Sequence, residues 1–305
     1  MRVLVFGAAG FVGRNLVSSL AKSKHETLAC DAVENPFGPQ TKYLRVDVLD
    51  RARVFDTVKG CDSVVHLAAS PLVASIQDPA QNMRVNIEGT LNILDAARKH
   101  DVKKLIYSSA SSVIGMPKYN PVDEEHPCVP KTPYAVAKKA CEDYLRVYRE
   151  LYSLHYVIFR FFNLYGPWQF VGSGALIPNV YRTLSENRDF QIFGDGSSTR
   201  DFIYIDDVVS YCLSALTQQI EDVVVNLGTG QGTSILELVR LSAKLLGVEP
   251  RLAYKSSRPG EIGNFVADTT RLTKLFGTKP STSLEDGLTK TFEWLHNRTD
   301  PSIPK

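Results

Sequence analysis

Short apolar segments alternate with segments of helical periodicity along the first half of the chain. The apolar segments carry few polar residues, a pattern that predicts strands buried on both faces of a sheet. The predicted strands lie at 2–6, 27–30, 43–46, 63–67, 104–109 and 156–162, and the predicted helices near 11–22, 51–58, 79–99 and 134–151. Buried strands that alternate with helices indicate an α/β fold with a parallel sheet built from right-handed βαβ units.

The pattern changes after about residue 165, where Gly, Pro, Asn and Ser become frequent. The further predicted elements are a helix near 175–186, a strand end and helix at 203–216, a strand at 223–227, a helix from the Ser234/Glu237 capping box to Leu246 with Gly247 behind it, a short helix capped by Asp268 that ends before Gly277, and a helix near 284–295. We therefore expect a first domain of residues 1–165 plus about 201–226. A smaller C-terminal α/β lobe of residues 166–200 and 227–305 would bind the substrate.

Charge and cysteine usage exclude several classes of protein. Lys plus Arg number 35 and Asp plus Glu 33, a balance with no footprint for nucleic acid or for an anionic membrane surface. No apolar run approaches the roughly 18 residues of a transmembrane helix, so no membrane association is expected. The five cysteines form no Cys-x-x-Cys pair and the six histidines show no ligand spacing. We therefore expect no metal site and a reducing, cytoplasmic location.

A glycine-rich motif, Gly7-Ala8-Ala9-Gly10-Phe11-Val12-Gly13, stands where the first strand meets the first helix. Gly7 permits a tight turn, Gly10 lets the backbone approach a pyrophosphate, and Gly13 lets the helix pack close to the strand. Asp31 ends the next strand, where a carboxylate binds both adenosine ribose hydroxyls and repels a 2′-phosphate. The motif and Asp31 favour NAD as cofactor and a Rossmann-type doubly wound sheet as fold.

The Gly-x-x-Gly-x-x-Gly spacing resembles that of the extended short-chain dehydrogenase/reductase superfamily. Three further segments match it in order: Asp47-Val48, His66-Leu67-Ala68-Ala69 and the segment from Asn86 to Thr90. The resemblance implies that NAD contacts the glycine motif and a set of residues along the strand ends: Gly7, Gly10, Phe11, Val12, Gly13, Asp31, Asp47, Val48, Leu67, Ala68, Ala69, Asn86 and Ser108, together with Tyr134 and Lys138.

Tyr134 and Lys138 form a Tyr-x-x-x-Lys pair on a predicted helix that Thr132 caps and Pro133 opens. Positions i and i+4 share one helix face. A lysine ammonium beside the phenol lowers the phenol pKa from its usual value of about 10. Tyr134 is therefore the predicted catalytic acid and base, with Lys138 as its partner.

The superfamily also places a Ser or Thr near this tyrosine, and the chain departs from that pattern. Alignment on Val113 and Gly115 puts the expected hydroxyl position at Ala110. Ser111 or Ser109 could supply the hydroxyl after a small backbone shift, or activity could depend on Tyr134 alone.

The C-terminal segments resemble the nucleotide-sugar branch of the superfamily, typified by UDP-glucose 4-epimerase. The matching segments run from Arg160 to Pro167, from Gln191 to Gly196, from Arg200 to Tyr204 and from Arg258 to Glu261. The resemblance implies that Asn163 and Arg258 contact the sugar diphosphate, Phe193 packs on uracil, Arg200 binds phosphate and Glu261 binds the nucleotide ribose. Phe265 stands where relatives limit the room around the sugar, although core packing explains a buried phenylalanine equally well.

Ser111-Ser112 replaces the Asp-Glu pair of the 4,6-dehydratases, and Ser112 replaces the glutamate of the uronate decarboxylases. Without these acidic residues, the chemistry that remains is removal of a hydride from the sugar and its return. The resemblance therefore implies C4 epimerisation of a UDP-sugar, with UDP-glucose/UDP-galactose favoured. The alternatives are a UDP-uronate 4-epimerase, another nucleotide-sugar-modifying enzyme (dehydratase, decarboxylase or reductase), or a non-catalytic nucleotide-sugar binder, which Ala110 alone favours. The resemblance also implies a homodimer formed through helices near 86–99 and 134–151.

Overall fold

The structure is a computed structural model that describes residues 1–257 and 263–297. Its strands are, in chain order, β1 (Arg2–Phe6), β2 (Glu26–Asp31), β3 (Tyr43–Arg45), β4 (Ser63–His66), β5 (Lys104–Ala110), β6 (His155–Phe161), β7 (Asn163–Tyr165), β8 (Phe190–Phe193), β9 (Thr199–Tyr204), β10 (Val223–Leu227), β11 (Gly232–Ser234), β12 (Leu252–Lys255) and β13 (Asn264–Phe265). Its α-helices are α1 (Phe11–Leu20), α2 (Arg51–Val58), α3 (Leu72–Gln77), α4 (Pro79–Met83), α5 (Gly89–Lys99), α6 (Pro133–Tyr152), α7 (Leu176–Ser185), α8 (Ile205–Thr217), α9 (Ile235–Leu246), α10 (Thr270–Phe276) and α11 (Leu284–His296).

The described chain divides into two compact units, and the first comprises residues 1–115, 127–161 and 209–225. Its sheet has seven strands in the order β10-β6-β5-β4-β1-β2-β3. Every neighbouring pair from β3 to β6 is parallel. The prediction of a Rossmann-type doubly wound sheet is confirmed, and the carboxyl ends of β1, β2, β4 and β5 therefore meet at one edge.

The core of this unit lies where the helices cover the sheet. It is built by apolar residues of the central strands together with residues of α2, α5 and α6, among them Leu4, Phe6, Val54, Val64, Ile93, Leu94, Leu105, Leu145 and Ile158. Each such side chain, when fully buried, stabilises the fold by roughly 1.5–3 kcal/mol. This burial explains why the strands read as unbroken apolar segments in the sequence.

The single helix predicted at 79–99 is wrong in detail. Asp78 ends α3 and caps α4, because its Oδ1 accepts the backbone N–H of Gln81 at 2.9 Å. A π-helical turn, Arg84–Glu88, then separates α4 from α5. The Thr90 hydroxyl donates to the Asn86 carbonyl at 2.5 Å within this distortion. A side chain that competes for a helix carbonyl disturbs the regular ladder, which apolar periodicity alone cannot reveal.

The second unit comprises residues 116–126, 162–208 and the described residues after 225. Its larger sheet has β9 at the centre, parallel to β7 and β13 and antiparallel to β11, and β8 pairs with β12 in a second, parallel sheet. Residues 162–165 and 201–208, both expected in the first domain, lie in this unit, because β7 and β9 pair with each other and β9 also pairs with β11 and β13. Residues 116–126 join this unit because Val122 exchanges backbone hydrogen bonds with Val266 and Asp268.

Helix ends in the second unit follow the predicted signals closely. The Ser234/Glu237 capping box opens α9, and Gly247 closes it at a φ of 67°. The cap of α10 differs by one residue: Thr269 takes the N-cap position, and the Asp268 carboxylate accepts the Thr270 N–H at 2.7 Å. Within residues 1–257 and 263–297, no helix has the length and hydropathy needed to span a membrane.

Candidate cofactor pocket and active site

The turn between β1 and α1 depends on two close backbone approaches. Gly7 adopts a φ of 79°, and a Cβ there would lie 2.4 Å from the Ala68 backbone nitrogen. A Cβ on Gly13 would lie 2.1 Å from the Gly7 carbonyl oxygen. Gly10 is the N-cap of α1 and caps it with no side chain. The glycines therefore expose the first N–H groups of α1, at the positive end of the helix, to an incoming anion.

Asp31 lies at the carboxyl end of β2, beside this turn. Its Oδ2 accepts the Ala9 N–H at 3.0 Å, and its Oδ1 accepts the Ala32 N–H at 2.7 Å. Each carboxylate oxygen can accept a further hydrogen bond. The carboxylate is thus fixed in place and still able to bind a diol.

A cavity of about 390 Å³ opens at this edge of the sheet. Its lining combines small apolar residues with two carboxylates, from Phe6, Gly7, Ala9, Gly10, Asp31, Ala32, Val33, Val46, Asp47, Val48, Leu67, Ala68, Ala69 and Val85. An anion-binding helix end and a diol-binding carboxylate in one apolar cavity suit a dinucleotide. The residues present therefore fit NAD.

Eight of the fifteen predicted cofactor residues are among those that line this cavity. The other seven are not: Phe11, Val12, Gly13, Asn86, Ser108, Tyr134 and Lys138. Phe11 and Val12 are half-buried in the first turn of α1 and are not lining residues. Six further residues line the cavity that no motif had indicated: Phe6, Ala9, Ala32, Val33, Val46 and Val85. Each of these lies within two positions of a predicted residue.

Asn86 has a supporting position rather than a place in the cavity wall. Its buried side chain accepts the Ser70 N–H at 2.8 Å and donates to the Ser70 carbonyl at 3.1 Å. It thereby fixes the segment that follows Leu67, Ala68 and Ala69. A supporting role of this kind is consistent with a structural signature.

Tyr134 and Lys138 stand in the first two turns of α6, whose N-cap, Thr132, accepts the Ala135 N–H at 3.2 Å. Lys138 is 2% exposed and donates from Nζ to the Ser108 carbonyl at 2.6 Å. Its Nζ lies 5.7 Å from the centroid of the Tyr134 ring and 4.7 Å from that of Tyr107. The pair is therefore assembled on one helix face, as predicted from its spacing.

The pKa expected for Tyr134 is not found in the protein alone. Burial raises the pKa of the Tyr134 phenol to about 12, because the phenolate loses solvation. Burial also lowers the pKa of Lys138 to about 8. Desolvation therefore outweighs the attraction between ammonium and phenolate that the sequence suggested.

The serines near the strand end differ in environment. Ser108 donates from Oγ to the His66 carbonyl at 3.1 Å. Ser109 is buried and donates to Glu142 Oε1 at 2.6 Å, so its hydroxyl is engaged away from Tyr134. Ser111 is half-exposed and opens a 3-10 turn, Ser111–Ile114. The Ser112 Oγ, which the sequence analysis did not single out as a hydroxyl donor, is buried and has no hydrogen-bond partner among the described residues.

Four of the predicted substrate residues lie in the described part of the second unit. Asn163 donates to the Asp201 carbonyl at 3.0 Å, and Arg200 Nη1 donates to the carbonyls of Thr199 and Gly263 at 2.8 and 2.9 Å. Phe193 is half-buried at the end of β8. Arg258 and Glu261 lie outside the described residues.

Phe265 is buried and pairs in register with Arg200. Its ring stacks on Phe162 at 5.2 Å between centroids. Core packing therefore accounts for this phenylalanine, and its size carries no argument about the sugar.

Asp201 was not singled out from the sequence as a site residue, although it organises the segment around Arg200. Its carboxylate accepts the N–H groups of Thr229, Gly230 and Ala267 and the Thr229 hydroxyl, at 2.7 to 3.1 Å. A short sequence motif cannot reveal such a carboxylate, because its hydrogen-bond partners lie far away along the chain. In residues 1–257 and 263–297, no group of acidic, histidine and cysteine side chains is arranged to hold a metal ion.

Comparison with known proteins places the chain in a family. A profile of the NAD-dependent epimerase/dehydratase family matches residues 3–228. UDP-glucose 4-epimerase from Mycolicibacterium smegmatis is 34% identical, over 98% of this chain and 100% of the relative. The structure of UDP-glucose 4-epimerase from Thermotoga maritima with UDP-glucose superposes with a TM-score of 0.91 at 31% identity, covering 97% of this chain and 99% of that one.

The structure of Thermus thermophilus UDP-glucose 4-epimerase in complex with NAD superposes with a TM-score of 0.88 at 29% identity, covering 97% of this chain and 99% of that one. The cofactor of this chain is NAD, in agreement with the cavity and its carboxylate. The chain belongs to the NAD-dependent epimerase/dehydratase family, whose members modify nucleotide sugars.

Proposed function

We propose that this protein catalyses NAD-dependent C4 epimerisation of a UDP-sugar, with UDP-glucose and UDP-galactose as the favoured pair. The observation that carries the proposal is the Tyr134/Lys138 pair, held by Ser108 in the same unit as the cofactor cavity. A protein that only binds nucleotide sugars has no need of such a pair.

In this scheme bound NAD supplies a hydride acceptor and donor. Tyr134 takes the proton of the sugar O4 hydroxyl and later returns it to the same oxygen on the other face of the sugar. The Lys138 ammonium stabilises Tyr134 as the phenolate before it accepts this proton and again after it has returned it. The cofactor is held in place by the N-terminus of α1 and by Asp31, Asp47 and Val48.

Two serines favour epimerisation over elimination or decarboxylation. Ser111 and Ser112 occupy the positions where the sequence analysis expects the acidic pair of a dehydratase or the glutamate of a decarboxylase. A serine hydroxyl hydrogen-bonds a sugar but is a poor general base for removing a carbon-bound proton. With Ser109 engaged by Glu142, we assign the hydroxyl that supports Tyr134 to Ser111, with the unpaired Ser112 Oγ as the alternative.

Relatives of comparable identity leave other substrates open. UDP-glucuronate 4-epimerase from Thermodesulfobacterium geofontis and dTDP-glucose 4,6-dehydratase from Streptomyces griseus are each 30% identical to this chain. UDP-N-acetylglucosamine 4-epimerase from Methanobrevibacter ruminantium superposes with a TM-score of 0.90. A UDP-uronate 4-epimerase is therefore the second candidate.

We assign the contacts with the sugar diphosphate to Asn163, Arg200 and Arg258. The uracil would pack on Phe193, and Glu261 would bind the nucleotide ribose. The Arg200 guanidinium supports this assignment because two backbone carbonyls already orient it. An oriented guanidinium loses little conformational entropy when it binds phosphate.

We also propose a homodimer formed through α5 and α6. Exposed apolar side chains follow one face of α6, at Val136, Tyr144, Val147 and Leu151. Their spacing of eight, three and four residues keeps them on a single helical stripe, which a second copy would cover. A cytoplasmic location remains a prediction.

The reaction is tested by incubating the purified protein with NAD and, separately, UDP-glucose, UDP-galactose, UDP-glucuronate and UDP-N-acetylglucosamine. We expect a C4 epimer of unchanged mass from one pair. Tyr134→Phe should lower the rate at least about 100-fold, whereas Tyr152→Phe, at the exposed end of the same helix, should leave it unchanged. A product lighter by water or carbon dioxide would move the assignment to a dehydratase or a decarboxylase.

A further inference from the structure

A buried ion pair lies one helical turn beyond Lys138. Arg160, on β6, donates from Nε to Glu142 Oε1 at 3.0 Å and from Nη2 to Oε2 at 2.8 Å. The two side chains are 2% and 0% exposed. Ser109, on β5, donates to the same Oε1 at 2.6 Å. This set, the Ser109–Glu142–Arg160 cluster, ties two strands and α6 together at a single carboxylate.

The cluster adjoins the contact that holds Lys138. Tyr134, Lys138 and Glu142 follow one another at intervals of four residues along one face of α6. Ser109 is the direct neighbour of Ser108, whose carbonyl accepts the Lys138 ammonium. Ser109 also lies opposite Arg160 in the β5–β6 register. Any movement of Ser109 therefore moves the acceptor of Lys138.

A gain in folding stability does not by itself explain why the protein buries such a cluster. A buried ion pair gains little over well-packed apolar residues, because the desolvation of both charges offsets their attraction. An ion pair with fixed bidentate geometry does specify position. We propose that the Ser109–Glu142–Arg160 cluster holds the end of β5 so that the Ser108 carbonyl fixes the Lys138 ammonium beside Tyr134. Ser109 and Glu142 are then positioning residues, an inference that rests on the proposed function.

The titratable and charged groups that face Lys138 come from four elements: Tyr134, Cys141 and Glu142 on α6, Tyr107 on β5, His66 on β4 and, through Glu142, Arg160 on β6. Burial raises the pKa of both Tyr107 and Cys141, and burial together with the Lys138 charge lowers the pKa of His66 to about 3. These groups are therefore uncharged at pH 7. The Lys138 ammonium then depends on the Ser108 carbonyl and on the Glu142 carboxylate.

The experiment compares Ser109→Ala with the wild type, because this change removes one hydroxyl and no charge. The readout is the pKa of Lys138, followed by the Cε resonance of ¹³C-labelled lysine and assigned by its absence in Lys138→Met. A looser contact with Ser108 disfavours the charged form, so we expect the Lys138 pKa to fall by about half a unit. At pH 7 most of Lys138 stays charged after such a shift, so the expected fall in kcat, about tenfold with KM unchanged, comes from the displaced ammonium rather than from lost charge. Glu142→Gln should lower the Lys138 pKa further.

Ser242→Ala is the matched control, because Ser242 is buried and its hydroxyl has no partner in the described ranges. It should move neither readout. An unchanged Lys138 pKa in Ser109→Ala overturns the proposal, even if the variant loses stability, since a merely structural role predicts that result. If Ser109→Ala fails to fold, Ser109→Cys replaces it, with a smaller shift in the same direction expected. Absence of epimerase activity in the wild type would defeat the proposed function, while the Lys138 titration would still decide this inference.

Discussion

At the scale of single residues, the site depends on two charged groups, a carboxylate at the wall of the cavity and an ammonium that is buried. Asp31 is held by backbone N–H groups at the cavity wall, whereas Lys138 is buried with a single carbonyl as its described acceptor. Fixing a carboxylate at the cavity wall prepares it for a diol. Burying an ammonium makes its charge costly, and that cost is expected where a group serves chemistry rather than stability.

Asp31→Asn should weaken NAD binding and relax discrimination against NADP. The amide group must turn its NH₂ toward one of the two N–H groups that Asp31 now accepts, and it no longer repels a 2′-phosphate. We expect the Kd for NAD to rise about tenfold and the ratio of NADP to NAD affinity to increase. Calorimetric titration of both cofactors checks this, with the exposed Asp56→Asn as control. An unchanged ratio would contradict the role assigned to Asp31.

Lys138→Met should abolish activity and yet stabilise the fold at pH 7. Burial lowers the pKa of Lys138 from 10.5 to about 8. Below pH 8 the lysine is charged in both the folded and the unfolded state, so the cost of burying the charge is present in full. Between pH 8 and 10.5 the folded state loses the proton first, and the wild type gains stability as the pH rises.

The variant should therefore exceed the wild type by up to about 3 kcal/mol at pH 7, with the difference shrinking toward pH 10.5. Urea unfolding at both pH values measures it, with the exposed Lys99→Met as control. A variant that is less stable than the wild type at pH 7 would show that the contacts of Lys138 outweigh its desolvation.

Residue roles could be predicted only where a motif is local. The glycine motif, Asp31 and the Tyr134/Lys138 pair are short-range patterns, so their positions at a strand end or on a helix face follow from the local sequence, while their roles stay predictions. The environment of Ser109 could not be predicted, because it depends on Arg160 lying opposite in the strand register. The fall of the Lys138 pKa likewise depends on packing from three other strands and helices.

At the scale of elements, α5 begins where it touches the cavity wall. A Cβ on Gly89 would lie 2.5 Å from Val48 Cγ2 and 3.0 Å from Val48 Cβ. The Asn92 side chain donates to the Val48 carbonyl at 2.9 Å, which fixes that backbone. The close approach explains a glycine inside a helical segment, where alanine is usually preferred.

Gly89→Ala should destabilise the protein by about 1–2 kcal/mol, because overpacking outweighs the roughly 1 kcal/mol that alanine gains over glycine in a helix. NAD binding should weaken as well, since Val48 lines the cavity. Adding Val48→Ala should restore the stability lost. Denaturant unfolding of the single and double variants tests this, and a Gly89→Ala protein more stable than the wild type would contradict the packing argument.

Element types were predicted better than their interruptions. The strands of the seven-stranded sheet were predicted from apolar runs, whereas the break at Arg84–Glu88 was not, because apolar periodicity does not distinguish a π-helical turn from the α-helix around it. The predicted domain boundaries missed residues 116–126 for a related reason. Their pairing partners, Val266 and Asp268, lie far away in the sequence.

At the scale of the whole molecule, the exposed stripe on α6 predicts a dimer. Sedimentation should show two copies per particle, and Val147→Asp should give a folded monomer because a buried charge without a partner disfavours association. Val248→Asp, at an exposed apolar position of the second unit, should leave the dimer intact. A monomeric wild type would contradict this part of the account.

The most direct test of the central claim follows the hydrogen at C4. UDP-glucose labelled with deuterium at C4 is incubated in ordinary water with the protein and NAD. We predict UDP-galactose of unchanged mass with the deuterium retained at C4, because the hydride leaves and returns within one site, and formation at least about 100-fold slower in Tyr134→Phe. An epimer that has lost its deuterium to solvent, or a product lighter by water, would contradict the account.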